Sequence, residues 1–390
     1  MSAHPLAYLA EGKLHWRGNG LSHELESLFG RSLRDRAAQI HNRHAWKMQG
    51  SGAQFMHGML WGGAPRDPAA FRIAMTSVTR GRCAGEILYS LETDEISGVF
   101  AVDSTGAEQR LFHTADFRIR HLAMHPEGSA IAASVCHSDL IANLAVLNAD
   151  GSDLREVSEG DSVDLAPSWV PGSQRRLVYQ SAGLGRDAGG RFSGTGAFAV
   201  HEIDLESGGV KCLAEDPEAD LLGPQKTAEG ALYYIRRPRP THHASIDPLG
   251  ILKDTALFPF RLSFAIFQFF NFFSMKYSGR PLSTARGAAQ RMPDFKRMMV
   301  WGNLIDVEQA MRENRNGEPD APSLVPSSWQ LVRQSAAGKD VVAKGVLSFD
   351  VAADGTVFYS NGSSIHRLAP AEDRPERVHV GTMIEQIAVL

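Results

Sequence analysis

The sequence predicts an all-β chain folded as a single β-propeller, and three observations carry that prediction. The chain holds 37 glycines with only 8% aromatic residues, a balance that favours many turns over long helices. One unit recurs along it, an apolar strand, a turn ending in Gly, then a short apolar strand: CAGEILYSLE (83–92), HPEGSAIAASV (125–135), VPGSQRRLVYQS (170–181), AEGALYYIRR (228–237) and ADGTVFYSNG (353–362). The turn glycines Gly85, Gly128 and Gly172 are 43 and 44 residues apart, the period of a four-stranded propeller blade. The later spacings, 58 to Gly230 and 125 to Gly355, read as insertions carried within blades.

Each Gly-turn unit supplies the first two strands of a blade, and a second hairpin supplies the rest. GVFAVDSTGAEQRLFH (98–113), NLAVLNADGSDLREVSEG (143–160) and VHEIDLESGGVKCLAED (200–216) have Asp, Asn and Gly where tight connections need Asx-type or left-handed turns. At the start of the chain, YLAEGKLHWRGNGLSHELES (8–27) matches YSNGSSIHRLAPAEDRPERVHVG (359–381), so it provides a second, third and fourth strand but no first. MIEQIAVL (383–390) is a strand with nothing after it; it is expected to complete the N-terminal blade and close the ring, removing exposed sheet edges. The composite blade and the Gly-turn units together give six blades. Seven is the alternative if AQFMHGMLWGG (53–63) is a strand rather than a loop.

PEGSAIAAS and ADGTVFYSN resemble the Pro-Asp-Gly repeats of TolB-type, WD40-like propellers, over most of the chain outside two insertions. The resemblance implies fold and says little of function, because such propellers serve in scaffolds, in peptidase propeller domains and in carbohydrate-linked proteins. TolB itself is periplasmic, whereas the first residues here, MSAHPLAYLAEGKLHW, lack the basic, apolar and small-residue regions of a signal peptide. A cytoplasmic location is expected, and TolB's partners are not carried over.

Two helical insertions interrupt the single domain, 1–390. The first, 28–70 between blades one and two, contains RSLRDRAAQIHNRHAWK (31–47), where Leu33, Ala37, Ile40 and His44 fall at helical spacing. Arg31, Arg34, Arg36, Arg43 and Lys47 occupy its other face, which reads either as a solvated cap or as an anion-facing surface. The second, 238–297 within blade five, holds ALFPFRLSFAIFQFFNFFSM (256–275), with seven Phe between Phe260 and Phe273. Pro259, Arg261, Gln268 and Asn271 make it a poor spanning helix. Its flanks are basic, so an in-plane helix at an anionic leaflet fits, each Lys or Arg near the surface contributing roughly 1 kcal/mol. The docking residues are then Phe258, Phe260, Arg261, Phe264, Phe267, Phe270, Phe273, Lys276 and Arg280, with Arg34, Arg43 and Lys47 from the first insertion. Burial against the propeller or in a dimer, and docking on a protein, are the alternatives. Strand assignment puts both insertions and the loop GLGRDAGGRFSGTG (183–196) on one face of the ring.

The formal net charge of −4 carries no chain-wide basic footprint, so nucleic acid is not an expected partner. Cys83, Cys136 and Cys212 are scattered and read as reduced thiols. No G-x-S-x-G elbow and no G-x-x-x-x-G-K-[ST] phosphate loop is present. His242, His243 and Asp247 form a weak metal signal on a loop, and His121, His125 and His137 alternate toward different faces of their strands. Asp350 and Asp164, on first strands, are the candidates for a metal-dependent hydrolase or a small-ligand sensor in the central channel, with the insertions as a lid. The preferred expectation is a non-catalytic platform for a protein partner, without a cofactor, held at the cytoplasmic face of a membrane.

Overall fold

The computed structural model describes residues 4–45, 73–239 and 297–390, apart from 19, 94, 138–139, 174, 188, 301–302, 307–309, 311–320 and 371. Nearly all regular structure is strand. The chain opens with β1 (Leu6–Ala10), β2 (Lys13–Gly18) and β3 (Leu21–Leu25), then one helix, α1 (Leu28–Ala45). A meander of β4 (Ala74–Arg80), β5 (Ile87–Glu92), β6 (Ser97–Val102) and β7 (Glu108–Thr114) makes the next sheet. It is followed by β8 (Arg118–Met124), β9 (Ala130–Cys136) and β10 (Ala142–Asn148), edged by the two-residue β11 (Arg155–Glu156).

β12 (Ser162–Trp169), β13 (Arg176–Arg186), β15 (Ala199–Asp204) and β16 (Val210–Ala214) form the following sheet, with β14 (Phe192–Thr195) folded back on the end of β13. A single parallel bridge, Ala142 to Val163, links it to β10. β17 (Ala219–Lys226) and β18 (Leu232–Pro238) come next; β19 (Arg297–Val300) and β20 (Asn303–Asp306) pair only with each other, and β21 (Gln330–Ser335) and β22 (Gly338–Lys344) complete the sheet begun by β17. The last sheet is β23 (Ser348–Val351), β24 (Val357–Ser360), β25 (Ser364–Leu368) and β26 (Glu376–Val380). The final strand, β27 (Ile384–Val389), runs antiparallel beside β1, with Leu6 opposite Val389 and Ala10 opposite Ile384.

The predicted turn glycines Gly85, Gly128, Gly172, Gly230 and Gly355 all have φ between 70° and 83°, left-handed values that a side chain would strain. Each joins the first strand of a sheet to its second. The middle strands read as near-continuous apolar runs because both their faces are covered. Ile87, Tyr89 and Leu91 of β5 enter a core shared with β1 and β27, while Leu88 enters the core shared with β8. The same arrangement repeats between each sheet and the next, and the core of Leu6, Tyr8, Phe358, Ile365 and Ile387 lies between the last sheet and the first. Outer strands such as β3 are largely exposed.

Two expectations need correction. Among the described residues there is one helix, not two, since 240–296 lies outside them. That helix starts at Leu28, ahead of the predicted 31, because Ser27 caps it: the Ser27 hydroxyl accepts from the Gly30 N–H at 3.1 Å, and the Glu108 carboxylate takes the Leu28 and Phe29 N–H groups at 2.9 Å each. The second insertion was bounded at 297, but the third strand of that sheet is β21, with Tyr234 opposite Val332, so the connection runs on to residue 329 and includes the β19–β20 hairpin. The apolar run RMMV of β19 comes first in the chain, yet it is β21 that pairs with β18. The 53–63 segment also lies outside the described residues.

Candidate functional site

The first strands of the sheets, β4, β8, β12, β17, β23 and β27, pack beside one another around an axis. Their inner edges have no strand partner, so backbone N–H and C=O groups there need other satisfaction. Side chains supply it across each junction. Gln386 on β27 accepts the Val78 N–H at 3.2 Å and donates to the Val78 carbonyl at 3.1 Å. Ser77 accepts the Leu122 N–H at 2.8 Å, and the Trp169 indole N–H donates to the Ala123 carbonyl at 3.0 Å. Gln180 accepts the Gly223 N–H at 2.7 Å, Gln225 accepts the Val351 N–H at 3.0 Å, and Asp350 accepts the Val389 N–H at 2.7 Å.

Inside these strands lies a cavity of about 660 Å³. That size is in the range of small-molecule pockets. Its walls come from the second halves of the first strands and the turns after them, including Pro126, Pro171, Thr227 and Asp354, so those strands all run toward the same end of the axis. Register shifts mark where the lining begins on β8, β12 and β17, at His121, Ala166 and Gly223, with φ of 50°, 51° and 58°. These bulges bend each strand and turn its backbone toward the axis.

Asp350 is the carboxylate in this wall with the most perturbed ionisation. Burial pushes it from 3.8 up to about 6, against the opposing hydrogen bonds from the Val389 N–H, the Gln225 side chain and the Val351 N–H and the field of Arg80. Arg80 also lines the cavity, half-buried, with no ion pair among the described residues. Lys226 and His4 are engaged, with Glu202 at 2.8 Å and with Asp354 at 3.1 Å. His121 is held neutral, since burial and then Arg120 lower its pKa to about 3.

The candidate residues read from sequence separate in space. Asp350 faces the cavity, whereas Asp164 sits before the β12 bulge and accepts the Ser158 and Ser181 hydroxyls at 2.6 Å each. Asp164 is therefore a structural acceptor and not a channel group. His125 caps its own turn, accepting from the Glu127 N–H at 3.2 Å, and lies edge-on to Trp169 at 4.9 Å. His137 is 3.2 Å from Glu156, apart from both other histidines of its sheet. Among the described residues no group of three or more His, Cys, Asp or Glu is disposed to hold a metal. The 183–196 loop is a hairpin turned by Asp187, whose carboxylate takes the Gly189 and Arg191 N–H groups at 2.8 and 2.9 Å.

Of the predicted docking residues, Arg34 is exposed on α1 and 3.8 Å from Glu26. Arg43 belongs to α1, though its side chain is not described; Lys47, Phe258, Phe260, Arg261, Phe264, Phe267, Phe270, Phe273, Lys276 and Arg280 lie outside the described residues, as do His242, His243 and Asp247. What can be placed is where these segments leave the sheets. Pro238 pairs with Ala219 at the start of β17, Gly183 pairs with Ser162 at the start of β12, and residue 73 leads into the start of β4. All three exits are at the end of the axis opposite the cavity-lining turns.

Sequence reading missed two features. One is Arg80. The other is a buried ion pair under the exit of the second insertion: Arg237 meets Asp220 at 2.6 Å with each side chain at most 5% exposed, Arg239 approaches the same carboxylate at 3.6 Å, and the Arg237 guanidinium lies 5.4 Å from the Trp329 ring centre. The cation-rich run IRRPR (235–239) was the only available signal.

No protein-family model matches the chain, and no curated protein does. Solved structures do match. TolB from Acinetobacter baumannii aligns over 99% of this chain and 66% of its own, at 10% identity and a TM-score of 0.50. A chain of the nidogen/laminin complex aligns over 100% of this chain and 98% of its own, at 8% identity and a TM-score of 0.51. This chain spans just under two thirds of the TolB chain. At such identities the likeness is one of fold, and the fold is a TolB-like propeller.

Proposed function

We propose that the chain is a closed propeller of six blades that serves as a binding platform, docked through the connections at one end of its ring. The blade count rests on the strand order and the core between every pair of successive sheets; closure rests on the β27–β1 pairing. The observation that carries the platform reading is the common exit of three elaborated connections, 26–73, 183–196 and 239–329, at the end where β4, β12 and β17 begin. A rigid ring that gathers its longest loops at one end places function on those loops. The matched nidogen/laminin structure is itself a protein–protein complex, which agrees with a platform role.

The docking surface in this reading is the anionic inner face of a membrane, on the composition of 256–275 and its basic flanks, leaving other loops for a protein partner. Apolar burial would set residence and the Arg/Lys rim orientation, so binding weakens with salt without vanishing. Co-sedimentation with anionic liposomes tests it, comparing the chain with a Phe264→Ser, Phe267→Ser, Phe270→Ser, Phe273→Ser variant. Binding by the parent that is lost in the variant supports the dock. Failure of both to bind retires the membrane and leaves the common exit as a protein-binding surface.

A further inference from the structure

The channel cavity is at the other end of the ring from the proposed dock, and its wall has an unusual pairing of charges. A half-buried guanidinium is costly without a counter-ion, because it has lost part of its hydration. Arg80 has no ion pair among the described residues, although Asp350 is close enough to feel its field. Asp350 in turn keeps its oxygens on the Val389 N–H at 2.7 Å, the Val351 N–H at 3.1 Å and the Gln225 side chain, and among the described residues has no cation within ion-pair reach. At neutral pH it is mostly ionised. Two opposite charges thus share one cavity without touching.

We propose that this cavity binds a small zwitterion of the α-amino-acid class, its carboxylate on Arg80, its ammonium on Asp350 and its side chain against the apolar wall. Arg80 offers a planar fork that matches a carboxylate, with its donors uncommitted. With the Val389, Val351 and Gln225 donors in place, the Asp350 carboxylate retains one lone pair, enough to accept from an ammonium. Leu122, Met124, Trp169 and Phe349 line the same space and supply area for an apolar or aromatic side chain. The remaining charges do not compete: Lys226 and His4 are paired, Glu385 is not free, and Glu229 is exposed on the turn at the rim. A molecule with one charge would leave either Arg80 or Asp350 uncompensated in a confined space, so selectivity for both charges is built into the wall.

Calorimetric titration of the full chain at neutral pH, with L-phenylalanine, 3-phenylpropionate and phenethylamine as probes, tests this. L-Phenylalanine is expected to bind about tenfold or more tightly than either one-charge analogue, a difference of about 1.4 kcal/mol for each tenfold. Arg80→Met should erase its advantage over phenethylamine, and Asp350→Asn its advantage over 3-phenylpropionate; circular dichroism confirms that each variant is folded. If Asp350→Asn does not fold, Arg80→Met alone decides. No heat with L-phenylalanine, equal binding of a one-charge analogue to the parent, or unchanged selectivity in Arg80→Met overturns the proposal.

Discussion

Two Arg/Asp combinations with the same chemistry stand in contrast. Under the exit of the second insertion, Arg237 and Asp220 touch at 2.6 Å, and the Phe198 N–H at 3.1 Å, Arg239 and the Trp329 ring fill the remaining positions around them. Across the channel, Arg80 and Asp350 stay apart, and Asp350 spends its oxygens on the backbone of β27 and its own strand. The first pair is complete as it stands and fixes where a long connection leaves the ring. The second is incomplete, and an incomplete pair in a cavity is what a ligand can finish. Burial alone does not distinguish structural from functional charge; whether each charge is already answered does.

The comparison can be broken most severely at the complete pair. Asp220→Ala leaves Arg237 buried without its anion and should cost about 3–5 kcal/mol in urea unfolding, the usual penalty for removing one member of a buried pair. A cost near zero would mean that Arg237 swings to solvent and the pair is not a clamp. Next in size is Asp350→Asn. Because the folded pKa of Asp350 is raised from 3.8 to about 6, its protonated form favours the fold; that stability is fully present below about pH 4 and is lost as pH rises through about 6. The asparagine variant should not show this loss and should gain up to about 2 kcal/mol over the parent at neutral pH, the relief of burying a charge less the one N–H bond that its amide nitrogen cannot accept. Parallel stability–pH curves for the two would show that Asp350 is not in a dry wall.

Gln386→Ala removes both bonds to Val78 at the junction of β27 and β4, and should cost about 1–2 kcal/mol in the same unfolding assay. A larger cost, with a changed urea dependence, would mark that junction as the weakest between successive sheets. The smallest effect is expected from Arg80→Met. An arginine with no partner should be replaceable within about 0.5 kcal/mol, in contrast to any change at Asp220 or Arg237.

Much of the fold was legible because blades repeat their turn chemistry. The glycines of CAGE, PEGS, VPGS, AEGA and ADGT each mark a turn whose left-handed residue tolerates little else, and each marks one. The strand order at the chain ends was legible from the same pattern. The third strand after ALYYIRR was not, because RMMV is the more apolar run and comes first, while QLVRQS, with only Leu331 and Val332 apolar, is chosen by the cross-strand pairing of Tyr234. Asp164 and Asp350 looked alike in sequence, both in apolar first strands. What separates them is Ser158, in the connection leading into β12, and Ser181, placed beside Asp164 by β13, and no simple sequence pattern reports that. Arg80 was invisible for the same reason: its meaning depends on the field it shares with Asp350, which acts only once β4 and β23 pack on either side of β27.

The pairing of β27 with β1 also orders events in time. LAYLA (6–10) is synthesised well before the strand that covers it, IEQIAV (384–389), with Leu6 and Val389 as partners. Until residues 384–389 emerge, the nascent chain therefore carries an apolar strand with one edge unpaired. The emergence of β27, rather than of any earlier sheet, is the step at which this edge is first covered.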